Sequence, residues 1–406
     1  MELLPKVVIL SKTSLSCSNA TGSFLANLFK PWPPERLLQI SNNISDDEIG
    51  SQYNLKFKVK FIADKFFFLR YLFIFSILPL NILFLMRKIR AFKPDMIYVR
   101  VVDEPIFYVI FGRILAKKFN VPLVTHTMDD YDRLLSTSNG AIKRSFLRLI
   151  FRQSLRKLFD SAQLNFSISE KMTLAYEKKF RNEFHVLHNG IDPDDWADTT
   201  HENNLIYSKN KPFQIVYAGS VDPLKEEKII GIFAGAVHNL NSVDSKIKYE
   251  FIINTYNCYI PTAENISKKY KGIKFQSFLS ITKYRQLLQN ADLLLIARDF
   301  DCQVQAYTEL SFHNKLPEYM ASGTPILCVG PKWDNSLRFI DENQIGYTVT
   351  KESIEALQFA IKLIYDNYNE YADMAGRAQS LAFSIFNINL IRSEFIEKLL
   401  SVHGCS

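Results

Sequence analysis

Short, unbroken apolar runs alternate along this chain with longer stretches whose apolar residues recur at helical spacing, and polar or proline-containing turns separate the two. The short runs read as strands buried on both faces of a parallel sheet. They are Val7 to Leu10, Leu37 to Ser41, Met96 to Val99, Val121 to Thr125 and Leu164 to Ser169, then Gln214 to Ala218, Tyr249 to Ile253, Ile273 to Leu279 with its loop, Asp292 to Ala297 and Ile326 to Val329. Gly22 opens a helical pattern that runs to Leu28, and Phe107 to Phe119, Phe146 to Phe159, Glu170 to Phe180, Ile229 to Leu240, Tyr284 to Ala291 and Ile354 to Tyr368 follow in the same period. Met374 to Leu400 reads as an amphipathic helical tail. Strand and helix in alternation predict an α/β chain. The polar stretch from Asp194 to Lys211, ended by Pro212, divides it, so we expect a first domain over 1–198, a linker over 199–211, a second domain over 212–380 and a tail over 381–406.

Composition narrows the class. With 406 residues, 47% of them hydrophobic and 22% charged, the chain can bury large cores in two domains. Its net charge of +7 is spread out, with no block of like charges, which argues against a nucleic-acid arm and suits a phosphorylated ligand or an anionic lipid surface. The five cysteines, Cys17, Cys258, Cys302, Cys328 and Cys405, have no paired spacing, so neither a zinc site nor a disulfide framework is expected, and a reducing cytoplasm is the expected compartment. The first apolar run is too short for a signal peptide. Tyr71 to Met86 is a run of sixteen uncharged residues between Arg70 and the cluster Arg87, Lys88, Arg90 and Lys93. A spanning helix needs about 20 apolar residues, and Pro79 and Asn81 interrupt this one, so it reads as a core helix, with an in-plane contact on the cytoplasmic membrane face as the alternative.

Candidate chemistry concentrates between Tyr307 and Pro331. Lys315 and Glu318 open a short helical pattern that Gly323 closes ahead of the strand Ile326 to Val329. A helix start presents unpaired N–H groups and a positive dipole end, so Ser311, His313, Asn314 and Lys315 stand where a phosphate would be held. Glu318, one turn in, would accept hydrogen bonds from sugar hydroxyls; an ordinary exposed pair at helix spacing is the competing reading of Lys315 and Glu318. In the first half, Gly22 follows a strand and a polar loop, and His126, Asp129 and Asp130 lie just beyond the strand Val121 to Thr125, where α/β sheets carry their chemistry. A glycine easing a turn and an aspartate capping a helix are the plainer readings.

Lys315-Leu316-x-Glu318-Tyr319-x-Ala321-x-Gly323-x-Pro325 resembles the donor-binding signature of GT-B glycosyltransferases, especially the group-4 type. The resemblance implies two Rossmann-like domains facing a central cleft, with a C-terminal helix crossing back onto the first. It gives Glu318 the nucleotide ribose and gives Asn189-Gly190-Ile191-Asp192 the exit from the first domain. It makes Asp130, His126 and Lys225 the catalytic candidates, gives Ile273 to Leu279 the nucleotide base, and places Ile340 to Asn343 with Gly346 to Val349 at the last strand. Two departures stand out. The pattern's first glutamate falls on Leu310, with Glu309 one place off, and Ser311 to Lys315 instead fits a branch reading Ser-x-x-x-Lys. After the strand ending at Gly219, Ser220 holds the place of a diphosphate-binding arginine, while the lysine that follows is present as Lys225.

The expectation is a retaining glycosyltransferase that moves a sugar from a UDP- or GDP-sugar to a glycan or lipid-linked acceptor in polysaccharide or glycoconjugate synthesis. No metal is expected, because no Asp-x-Asp pattern stands in a suitable place and cationic side chains can neutralise the diphosphate. The alternatives are a catalytically weak GT-B subunit that scaffolds a polysaccharide-making complex, and a sugar-nucleotide epimerase.

Overall fold

A computed structural model describes residues 4–15, 20–41, 51–54, 85–101, 107–131, 133, 141–197, 211–223, 225–243, 247–277 and 279–403. All but the last two residues of the Tyr71 to Met86 segment lie outside them, as do Cys17, Cys405 and residues 199–210 of the expected linker; Leu85 and Met86 are buried, in a helical stretch described over 85–92. Among the described residues no helix is long and apolar enough to cross a membrane.

The chain divides into two units, one of Met1–His188 with Asn389–Ser406 and one of Asn189–Ile388. The described residues of the first form a parallel sheet of seven strands, β1 (Val7–Leu10), β2 (Leu37–Ser41), β3 (Ser51–Asn54), β4 (Met96–Arg100), β5 (Leu123–Thr127), β6 (Leu164–Ser167) and β7 (His185–Val186), in the order β3-β2-β1-β4-β5-β6-β7. The described residues of the second form six, β8 (Phe213–Ala218), β9 (Tyr249–Thr255), β10 (Ile273–Ser277), β11 (Leu293–Ala297), β12 (Ile326–Val329) and β13 (Tyr347–Val349), in the order β10-β9-β8-β11-β12-β13. Each sheet is doubly wound, so winding reverses between β1 and β4 in one unit and between β8 and β11 in the other; ligands of such sheets bind outside the strand carboxyl ends at this reversal. The apolar runs are continuous because helices cover both faces. In β8, Phe213, Ile215 and Tyr217 pack with Ile229, Ile230 and Phe233 on one side, while Val216 and Ala218 pack with Leu316 and Tyr319 on the other.

The structure moves several expected boundaries. The tail is two helices, Tyr368–Ile385 and Ile388–His403, rather than one. Its break pairs with the chain near Gly190: Ile191 N–H donates to Phe386 O at 2.7 Å, and Ile388 N–H donates to Ile191 O at 2.8 Å. A Cβ on Gly190 would stand 2.9 Å from Ile388 Cα, so only glycine lets the two segments approach. Because of this pairing, and because Trp196 joins the second unit's core, residues 189–197 belong to the second unit. Past the break, Phe395 meets Phe29, Trp32, Tyr98 and Phe166 with ring centres 5.4 to 6.1 Å apart, which returns the C-terminal helix to the first unit. Ile340 to Asn343 is the end of a helix, Asn335–Asn343, because Asp334 caps it by accepting from Leu337 N–H at 3.0 Å; the last strand is Tyr347–Val349 alone.

Candidate functional site

The helix Leu316–Ala321 is fastened to β8 by its own motif tyrosine. Tyr319 is 1% exposed, and its hydroxyl accepts from Ala218 N–H at 2.8 Å, which sets the helix against the strand end that leads into Gly219 and Ser220. The helix is short, with six residues.

Lys315 and Glu318 are both half-buried and do not form the exposed pair that helix spacing allows. Among the described residues no carboxylate comes within ion-pair distance of the Lys315 ammonium, which lies 5.9 Å from the centre of the Tyr284 ring. Burial pushes the Lys315 pKa down to about 8, against the pull of Glu318 and Glu226. Glu318 accepts from the Tyr284 hydroxyl at 2.7 Å. Burial raises its carboxyl pKa, while the Tyr284 bond, Lys315 and Arg285 oppose the rise. The result is an oriented carboxylate near an ammonium that feels Glu318 and Glu226 but makes no close ion pair among the described residues.

On the other side of the switch point a buried network joins β8 to β11. Gly219 is required because a Cβ there would stand 2.6 Å from the Tyr217 hydroxyl, which donates to Ser220 O at 2.6 Å. Ser220 Oγ donates to Glu226 Oε2 at 3.1 Å, and Glu226 Oε1 accepts from Arg298 Nη1 at 3.0 Å. Lys225 is half-buried, and its carbonyl accepts from Asp299 N–H at 3.2 Å, pinning its loop to the end of β11. His313 is buried; its N–H donates to Ser336 Oγ at 2.6 Å, and its Nδ1 accepts from Lys315 N–H at 3.3 Å. Burial, then Arg298 and Lys315, drive the His313 pKa well down, so the ring is neutral. Ser311 is buried in the same segment, and Asn314, exposed, accepts at Oδ1 from Asn189 Nδ2 at 3.1 Å. Tyr284, Glu226 and Arg298 escaped the sequence reading, although Arg298 carries a positional signal as the residue that follows β11 directly.

The first-unit candidates are placed differently. Gly22, expected to open a helical pattern, lies in the first turn of the helix Ala20–Leu28, which begins two residues earlier. His126 was expected beyond its strand, but β5 runs on to Thr127, and His126 pairs in register with Arg100 on one side and Phe166 on the other. It is 0% exposed, among the rings of Phe24, Tyr98 and Phe166, with Nδ1 at 2.7 Å from the Tyr98 hydroxyl. Burial, reinforced by Arg100, pushes its pKa down to about 3, so it is a neutral core histidine with no face open to a ligand. Asp130 is 7% exposed and accepts from the Tyr176 hydroxyl at 3.2 Å, and Asp129 accepts from the Tyr131 hydroxyl at 2.9 Å.

Neither a family model nor a curated protein sequence matches this chain. Solved structures do. HepE of Anabaena, in complex with UDP, aligns over 98% of this chain and 100% of its own at 16% identity, with a TM-score of 0.66. Sucrose-phosphate synthase of Thermosynechococcus elongatus aligns over 98% and 99% at 13% identity, with a TM-score of 0.70. WaaG, a glycosyltransferase involved in lipopolysaccharide biosynthesis, aligns over 96% and 98% at 12% identity, with a TM-score of 0.64. The fold is that of the GT-B glycosyltransferases. The likeness spans both units, so the fold implied by the Lys315 to Pro325 signature is found in each of them. Among the described residues of this GT-B chain no group of three His, Cys, Asp or Glu side chains is placed to hold a metal ion.

Proposed function

We propose that this protein is a glycosyltransferase that binds a nucleotide-sugar at the switch point of its second unit. The observation that carries the reading is the half-buried Lys315, which no carboxylate among the described residues approaches within ion-pair distance, in the same motif as a Glu318 carboxylate oriented by Tyr284. A nucleoside diphosphate needs both: fixed positive charge for its phosphates and an acceptor for its ribose hydroxyls. HepE has been solved with UDP and with UDP-glucose, which supports UDP-sugars as the first donors to test. In the reaction the bond between the sugar and the diphosphate breaks, the diphosphate leaves with the added charge, and an acceptor hydroxyl takes the sugar and gives up its proton to a leaving diphosphate oxygen. Lys315 and Lys225 are assigned to the leaving diphosphate and Glu318 to the ribose. Asp130 remains the first-unit candidate for meeting the acceptor. We assign retention of configuration, a glycan or lipid-linked acceptor, a cytoplasmic site of action and independence of added metal.

The experiment is calorimetric titration of UDP and GDP, followed by release of nucleotide from UDP- and GDP-sugars without acceptor, with and without EDTA. Tight UDP or GDP binding with slow, EDTA-insensitive release supports the reading; no binding of either nucleotide overturns it. The scaffold alternative draws on Ser220, whose hydroxyl is spent on Glu226, and predicts binding without release. Conversion of the sugar without its release would indicate the epimerase. Co-flotation with anionic vesicles at low salt tests attachment to the membrane surface.

A further inference from the structure

We infer that Arg298 is the guanidinium that receives the diphosphate in the second unit, delivered from the end of β11 where the sequence has Ser220 at the end of β8. The inference rests on the donor-site reading above and names the residue that completes it. Arg298 directly follows Ala297, the last residue of β11, and β11 is the partner of β8 across the winding reversal. Both strand ends that flank the crevice therefore contribute to one network, Ser220 to Glu226 to Arg298.

The guanidinium is under-used within that network. It has five N–H donors; among the described residues its hydrogen bond is Nη1 to Glu226, while its Nε, shielded from solvent and without a hydrogen-bond partner, lies 3.8 Å from Asp334 Oδ2. A side chain only 16% exposed with donors left over is costly unless something completes it. The guanidinium hydrogens not spent on Glu226 suit a phosphate oxygen, which carries charge, better than a neutral backbone group. The position is also cleared for it: Arg298 N–H donates to Val329 O at 2.8 Å, and a Cβ on Gly330 would stand 3.2 Å from Arg298 Cβ. Arg298 and Lys315 are both within electrostatic reach of His313, so the two cations serve one neighbourhood. Glu226 and Asp334 face the guanidinium with opposite charge. Glu226, held by Ser220, is a positioning residue that fixes the guanidinium, and burial raises its carboxyl pKa, which weakens its opposition to an incoming anion.

The plainer account is a staple that joins β8 to β11, and the two differ in what they do to phosphate. Full-length wild type, Arg298→Gln and the double variant Arg298→Gln with Glu226→Gln are titrated with UDP, UMP and uridine. The double variant removes the buried carboxylate that the single one leaves unpaired. The expected result is a loss of about ten- to hundredfold in UDP affinity with uridine affinity unchanged, partly recovered by adding Ser220→Arg. Equal losses for UDP and uridine, or UDP affinity within about twofold of wild type in the folded double variant, would overturn the assignment while wild-type binding keeps the donor site. A wild type that binds no nucleotide overturns both.

Discussion

At the ends of β4 and β5 in the first unit, Arg100 is 6% exposed and His126 0%; around the ends of β8 and β11 in the second, Ser220, Arg298, Lys315 and Glu318 are all half-buried. The sheets wind in the same order, so topology offers the same opportunity twice. In the first unit a ring of Phe24, Tyr98 and Phe166 closes over the histidine, and Arg100 turns its Nε to the Met128 sulfur at 3.3 Å. In the second unit the polar groups keep one side toward solvent and bond mostly to one another. A strand's carboxyl end marks where chemistry can be placed; whether the residue is sealed by aromatic packing or left partly wet decides whether it can meet a ligand.

The largest effect that would break this comparison is at His126. His126→Ala should lower stability by about 3 kcal/mol through a core cavity and an unpaired Tyr98 hydroxyl, with donor affinity unchanged. Urea unfolding beside nucleotide titration measures both; intact stability with lost activity would return the histidine to catalysis. Next, Glu318→Ala should cost about 2 kcal/mol of nucleotide affinity and leave the urea midpoint nearly unmoved.

Third comes pH. The Lys315 pKa of about 8 lies below the ordinary 10.5, so the stability contributed by this group is complete above 10.5 and is lost as pH falls through 8. Nucleotide affinity should run the other way, dropping about tenfold between pH 7 and pH 9 as the ammonium loses its proton. Lys315→Arg should flatten that drop, and an unchanged profile in the variant would place the titrating group elsewhere. The smallest effect is expected from Tyr284→Phe, which removes the hydroxyl that orients Glu318 and should weaken nucleotide binding by about 1 kcal/mol.

The sequence alone determined the strands Val7–Leu10, Leu37–Ser41 and Ile326–Val329 and the helices Phe107–Phe119 and Glu170–Phe180, each with the ends later observed. It could do so because burial on both sheet faces writes a continuous apolar run and a helix writes its own period; Ser169, read as the end of a strand, is instead the cap of the helix that follows. It also carried the Lys315 to Pro325 signature and with it the fold. It missed β3, whose Ser51–Asn54 run is too polar to read as a strand, and it read one long tail where pairing with Ile191 breaks the helix. Only the tertiary structure decided which polar residues are wet and which are partnered. Tyr284 reaches Glu318 across 34 positions and Arg298 reaches Glu226 across 72, and no local pattern encodes contacts of that span. His126 shows the same limit in the other direction: one more pair of residues in β5 moves it from a loop into a core, because register with β4 and β6, not the spacing of its neighbours in sequence, sets where its side chain goes.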